Sequence, residues 1–196
     1  MFQVLPLLQV RHGSLAGPGG TTDARAAIAA FPEVVLVDLD GLASNRPDVD
    51  LLKESSRKAR VWADFGSRTA DDAVELFVAG AMRVTIRWGL VRGVDELEEI
   101  AEIAEPGALY LGLEFRDGFV PNPRIARLGA EDALDLARKL ELPVVAIDVE
   151  ARGPARRTVG THAGERWYAA PLPTEELLAL EAEGWTGAIG LPGVVR

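Results

Sequence analysis

Eight short apolar runs, each followed by a polar or amphipathic stretch, constrain this chain more than any other feature of its sequence. They read "FQVLPLLQV", "EVVLVDLDG", "ARVWADFG", "MRVTIRWG", "ALYLGLEF", "PVVAIDVE", "RWYAAPL" and "WTGAIGL". Most are rich in β-formers and almost continuously apolar, as strands buried on both faces are. Between them lie stretches with helical spacing: "TTDARAAIAAF", "DVDLLKESSRKA", "TADDAVELFVAGA", "VDELEEIAEIAE", "GAEDALDLARKL" and "TEELLALEAEG". Thr69 and Thr174 suit N-caps, and Gly80 and Gly184 suit helix ends. Regular alternation of this kind predicts an α/β fold with a parallel sheet. Eight repeats predict closure into a compact (β/α)8 TIM barrel, one domain spanning residues 1–196. A doubly wound open sheet is the alternative. The "GSLAGPGG" stretch after the first strand does not fit the dinucleotide fingerprint G-x-G-x-x-G.

Two helices are expected to be missing. "ARGPARRTVGTHAGE", after the sixth strand, is rich in Gly, Arg and Pro and reads as a loop. The chain ends soon after the eighth strand. The outer faces of strands six to eight, with Val145, Ile147, Trp167 and Ile189, would then be poorly covered. A two-fold homodimer through that flank is the expected remedy.

Composition narrows the partners. The net charge of -9 disfavours nucleic acid and anionic membranes. No apolar run approaches the ~20 residues of a membrane span. No signal-peptide pattern is visible, and the chain has no cysteine, which suits the cytoplasm. Disulfides and thiolate chemistry are excluded. The expected partner is a small-molecule substrate.

In a barrel, chemistry gathers at the C-terminal ends of the strands. Here those ends carry Gln9, Asp38, Asp64, Arg68 and Arg87, then Glu114 with Arg116, and Asp148 with Glu150. Glu114, Asp38 and Asp148 are expected to point into one cavity. Such a ring of carboxylates and arginines would suit general acid–base work on a small polar molecule. Polar strand ends are also simply what any barrel shows where strands meet water.

Three stretches carry a resemblance. "VVLVDLDGLASN" resembles the second strand of the histidine-biosynthesis barrels, where V-D-L-D-G-A with a later Asn is typical. "SRTADDAVELFVAGAMRVTI" resembles their third helix and fourth strand, and "VLPLLQVRHG" their first strand. The chain thus resembles the HisA/HisF family, which contains a ribotide isomerase and the cyclase subunit of imidazole glycerol phosphate synthase. The V-G-T-x-x-G in "RTVGTHAG" is similar to HisA-like paralogues of methanogens and one-carbon-metabolising bacteria. That similarity implies an isomerase or lyase acting on a small ribotide, sugar or coenzyme precursor, outside histidine synthesis.

The resemblance implies a catalytic pair of Asp residues at the ends of strands one and five. Gln9 stands at the first place and Glu114 at the second. A neutral amide moves no proton at a useful pKa, so only Glu114 retains that role. Asp38 matches the acid of strand two, Asp148 lies in the strand-six motif, and Ile147 replaces the Thr of some members. The resemblance further implies two phosphate sites in glycine-rich turns. Of these, Gly66, Gly190 and Gly193 remain. Asp64 and Phe65 replace the glycines after strand three, and Pro171 and Pro173 lack N–H donors after strand seven. Arg68 and Arg87, with Arg92, would supply a different anion site. The alternative reading is a catalytically inert barrel kept as a binding or assembly partner.

The only histidines, His12 and His162, fall on loops expected at the same mouth. No H-x-x-x-H spacing joins them, and no metal or cofactor is expected. Trp62, Trp88, Trp167 and Trp185 suit core packing, with Trp88 the candidate for a substrate platform.

Overall fold

A computed structural model describes residues 1–16, 23–149, 153–171 and 173–190. Its strands are β1 (Gln3–Arg11), β2 (Ser14–Leu15), β3 (Glu33–Asp38), β4 (Arg60–Asp64), β5 (Arg83–Arg87), β6 (Leu109–Phe115), β7 (Val144–Asp148), β8 (Arg166–Ala169) and β9 (Gly187–Gly190). Its helices are α1 (Ala24–Ile28), α2 (Leu39–Ser44), α3 (Val49–Ser56), α4 (Ala70–Val78), α5 (Val94–Ile103), α6 (Ala130–Lys139), α7 (Pro154–Val159) and α8 (Thr174–Ala182). β1 and β3 to β9 pair in parallel in chain order, and β1 also pairs with β9. The sheet therefore closes into an eight-stranded (β/α)8 barrel. β2 is a short antiparallel addition to β1. Among the described residues, no helix is long and apolar enough to cross a membrane.

Each strand carries two rows of side chains. The outward row packs under the helices in one large apolar layer that includes Leu36, Ala63, Ile86, Leu111 and Ala146. The inward row forms a separate cluster around Trp62, Tyr110 and Trp167, with Leu5, Val35 and Val145. Trp62 and Tyr110 meet with ring centroids 4.2 Å apart, and Trp62 meets Trp167 edge-on at 5.2 Å. Gly187 makes room for this layer, because a Cβ there would lie 2.5 Å from the Trp167 ring. The aromatics fill the N-terminal half of the barrel.

Two helices depart from the expectations. The stretch read as a loop after the sixth barrel strand contains α7. Gly153, with φ 86°, and Pro154 start it, and Ala155 and Val159 bury its inner face. Gly followed by Pro at the first helical position is a start signal, which the local Gly, Arg and Pro content disguises as a loop. The short α2 forms directly after β3, capped by the Asp38 side chain and ended by Asn45 in the left-handed region. The eighth-strand expectation concerns residues 191–196, which lie outside the described residues.

α7 also removes the exposed flank. Val145, Trp167 and Ile189 are buried inside the barrel, with Ile147 packed against them, so these side chains are not on the outer face. The argument for a homodimer through that flank loses its basis. Thr69 caps α4 in a full capping box with Asp72, as its sequence suggests. At α8 the N-cap position is Pro173 rather than Thr174. Gly80 and Gly184 follow the last turns of α4 and α8 with positive φ.

Candidate functional site

Above the aromatic layer the barrel is hollow. A cavity of about 310 Å³ opens at the C-terminal mouth. Its wall is divided. Asp64, Thr85, Arg87, Glu114 and Arg116 come from the adjacent β4, β5 and β6 and the residue after β6. The rest is nearly all apolar, with Leu7, Val37, Leu42, Val145, Ile147 and Ile189 among its members. Gln9 on β1 and Asp148 on β7 are its polar interruptions. Gly112 holds the cavity open beside Arg87: a Cβ there would come within 2.8 Å of the Thr85 methyl.

Arg87 organises the polar side. Its Nε donates to both Asp64 oxygens at 3.1 and 3.0 Å, and its Nη2 donates to Asp64 Oδ2 at 2.8 Å. Its Nη1 donates to Glu114 Oε2 at 3.0 Å. Arg116 approaches Glu114 Oε1 at 3.5 Å from the rim. Burial disfavours the Arg87 charge, but Asp64 and then Glu114 outweigh it and hold the guanidinium pKa above its ordinary value. The Asp64 side chain is 6% exposed and that of Glu114 is 23% exposed. Of the two carboxylates, Glu114 is the one within reach of a ligand. At the base of the cavity Thr85 accepts a hydrogen bond from Trp62 Nε1 at 2.7 Å. The Thr85 hydroxyl is left with its own proton to donate.

The expected site residues are only partly brought together. Glu114, Gln9, Arg87 and Asp148 line the cavity. Asp148 is buried, and its Oδ2 accepts from the Tyr168 hydroxyl at 2.7 Å and from Gly153 N at 3.0 Å. It therefore anchors the start of α7. Asp38 is not in the cavity. It falls on the outward row of β3, where its carboxylate accepts from Asp40 N and Asp48 N at 2.9 and 2.8 Å. Strand parity decides this: Val35 and Val37 take the inward positions. Arg68 is also elsewhere, donating to the Leu42 carbonyl of α2 at 3.1 Å. Gly66 serves packing, since a Cβ on it would meet the Gly41 and Leu42 backbone at 2.8 Å. Gly190 is buried at the end of β9 opposite Pro6. Gly193 and Glu150 lie outside the described residues.

Carboxylates of the chain itself fill helix N-termini around the mouth. Asp72 accepts from Arg68 N and Thr69 N at the start of α4, and Glu96 accepts from Ala70 N. Asp132 accepts from Gly129 N before α6. Three N–H donors that could hold a phosphate are thus taken at α4, and one at α6.

His12 and His162 lie at opposite ends of the barrel. His12 is exposed at the mouth, its backbone N–H donating to Asp40 at 2.6 Å and its Nδ1 lying 3.3 Å from the same carboxylate. His162 follows α7 and precedes β8, because the unforeseen helix carries the chain back to the N-terminal end. The V-G-T-x-x-G stretch lies there too, away from the cavity. Among the described residues, no group of three His, Asp or Glu side chains is set to hold a metal ion. Trp88 is fully buried in the outer layer and is no substrate platform.

His162 is buried, and desolvation, then Arg138 and Arg166, push its pKa below the ordinary 6.5. As pH falls below about 6.5, the unfolded chain takes up the proton before the native state does. Stability contributed by neutral His162 is thus complete above that pH and is lost below it, down to the depressed native pKa. The slope from this group is at most about 1.4 kcal/mol per pH unit. Urea denaturation across that range is expected to show the loss, and His162→Gln to flatten it.

Thr85, which no sequence signal singles out, completes the site together with Asp64 and Arg116, which stand in the expected ring of strand-end residues without an individual catalytic or binding role. Asp64 and Arg87 are opposite charges at the ends of neighbouring strands, and that pairing was the signal available in the sequence. A family model described as "Histidine biosynthesis protein" matches residues 25–147, more than half of the chain. The matched segment runs from α1 through most of β7 and leaves out β1, hence Gln9. No curated protein matches the chain.

Proposed function

The chain belongs to the histidine biosynthesis protein family, and from that premise we propose that it is an isomerase or lyase using Glu114 as its acid–base group. The observation that carries this reading is the position of Glu114 on the wall of an open cavity, anchored through one oxygen to Arg87. Among the described residues, its other oxygen meets only the long contact from Arg116. A carboxylate fixed in this way accepts a proton from a carbon next to a carbonyl and returns it to a neighbouring atom. Arg87 sets its orientation, and Gln9 and Thr85 offer hydrogen bonds to the reacting molecule. The substrate is a small sugar-like compound or coenzyme precursor. With Gln9 in place of a second acid, the reaction differs from the histidine-pathway isomerisation. The similarity to one-carbon paralogues supports the same conclusion.

The test is solvent deuterium incorporation into a panel of enolisable ketoses and hydroxyketones, followed by mass spectrometry. Exchange is expected with the native chain and is expected to fall about 100-fold or more in Glu114→Gln. Exchange that survives this substitution would assign the chemistry elsewhere. Expression of the chain in a histidine auxotroph lacking the isomerase is expected to give no growth. Growth would place it in histidine synthesis.

A second reading, an inert barrel that only binds, draws on the same ion pairs. Arg87 satisfies both oxygens of Asp64 and one of Glu114, as a purely structural network would. Absence of exchange across the panel together with ligand binding in the cavity would favour it.

A further inference from the structure

The cavity wall has an uneven polarity that restricts its ligand. Polar groups occupy the contiguous β4, β5 and β6 side, centred on Arg87 and Glu114. From β7 round through β9 and β1 to β3 the wall presents Val145, Ile147, Ile189, Leu7 and Val37, broken by Gln9 and by the buried Asp148, whose carboxylate is bonded to Tyr168 and Gly153. Of the substrate classes proposed above, this surface suits a coenzyme precursor better than a sugar, whose hydroxyl groups would face it without partners. It does favour a ring or chain of carbon atoms.

Charge on the polar side is already matched. Arg87 faces two carboxylates, Asp64 and Glu114, and Arg116 reaches one of them. A phosphate placed beside Arg87 would meet both carboxylates as well. The N-termini of α4 and α6 have spent N–H groups on Asp72, Glu96 and Asp132. Each of these is a positive observation against a phosphorylated ligand.

We infer that the cavity takes an unphosphorylated small molecule with an apolar ring or chain and one polar edge, the edge set against Glu114, Arg87 and Thr85 and the apolar part against Ile147, Val145 and Val37. This rests on the reading of the cavity as the ligand site and narrows its substrate class. The polar edge carries a donor for Glu114 beside an acceptor for the Thr85 hydroxyl and the remaining Arg87 N–H groups. A carboxamide or a hydroxyl next to a carbonyl has that pattern.

The indole N–H of Trp62 reports on the site, because it is bonded to Thr85 on the cavity wall. Trp88, buried in the outer layer, is the internal control. Benzamide and salicylamide are titrated into 15N-labelled protein, in parallel with ribose 5-phosphate and inorganic phosphate. The ring amides are expected to shift the Trp62 signal and saturate, with Trp88 unmoved. The two phosphate compounds are expected to leave both unmoved. Val149 lines the cavity and is 44% exposed, so Val149→Asp should fold normally. It is expected to weaken the ring amides at least about fivefold. A Trp62 shift caused by ribose 5-phosphate overturns the inference, and so does failure of both ring amides to shift it. Binding of the amides without Glu114-dependent exchange of the hydroxyketones in the panel leaves this ligand class standing and removes only the acid–base reading.

Discussion

Replacing Arg87 by Met is expected to destabilise the barrel by about 3–5 kcal/mol, the usual cost of removing one partner from a buried ion pair. The Arg87 side chain is 16% exposed and donates to Asp64 and Glu114. Met fills most of the same volume, so the loss isolates the charge. Two carboxylates would then face each other across the mouth with no counter-charge between them, and Asp64, at 6% exposure, has little access to water. Urea denaturation of the variant measures the loss. Adding Asp64→Asn to Arg87→Met is expected to recover part of it, because one of the stranded charges is gone. A loss below about 1 kcal/mol would mean that the network behaves like a surface pair. The same variant is expected to lose Glu114-dependent exchange, since Glu114 would no longer be held in one orientation.

Trp62→Ala is expected to cost a similar amount, about 3–5 kcal/mol, by a different route. The indole is fully buried in the inner cluster and touches Tyr110 and Trp167. The Arg83 guanidinium lies 5.4 Å from its ring centroid. Its truncation removes the centre of the aromatic layer and leaves a void under the functional cavity. The closed strand ring limits how far the walls can collapse to fill it. Trp62→Phe keeps most of the ring and loses the bond to Thr85, so its expected cost is about 1–2 kcal/mol. Equal losses for the two variants would show that the hydrogen bond, and not the packing, is what Trp62 contributes. Calorimetry and urea midpoints distinguish the outcomes.

The helices show where local signals suffice and where they do not. α4 begins at Thr69 because Thr and Asp three residues apart satisfy each other's backbone donors, and Gly80 follows its last turn. Both signals are carried by neighbouring residues. α7 is different. Its six residues include two arginines, Arg156 and Arg157, and its stability comes from burying Ala155 and Val159. Arg156 also pairs with Glu176 on α8 and with Glu183 at its C-terminal cap. These partners are 20 and 27 residues away, beyond the reach of any local pattern. Missing that helix moved His162 to the wrong end of the barrel, whereas the supposed outer face of Val145, Trp167 and Ile189 came from the wrong strand parity.

The sequence by itself determined the alternation of strands and helices, the number of barrel strands, and the polar residues at the strand ends. Each of these is a short-range property, set by side-chain period and by capping residues within a few positions. Only the tertiary structure decided which strand-end residues face one another. In "VVLVD" both rows are apolar until the last residue, so the pattern does not say that Val35 and Val37 point inward and Asp38 outward. A shift of one residue exchanges the two faces. Pairing across the closed ring removes that freedom: Val37 sits opposite Asp64, and Arg87 opposite Gly112. That register places the guanidinium of Arg87 between Asp64 and Glu114, and the small Gly112 leaves it the space to lie there.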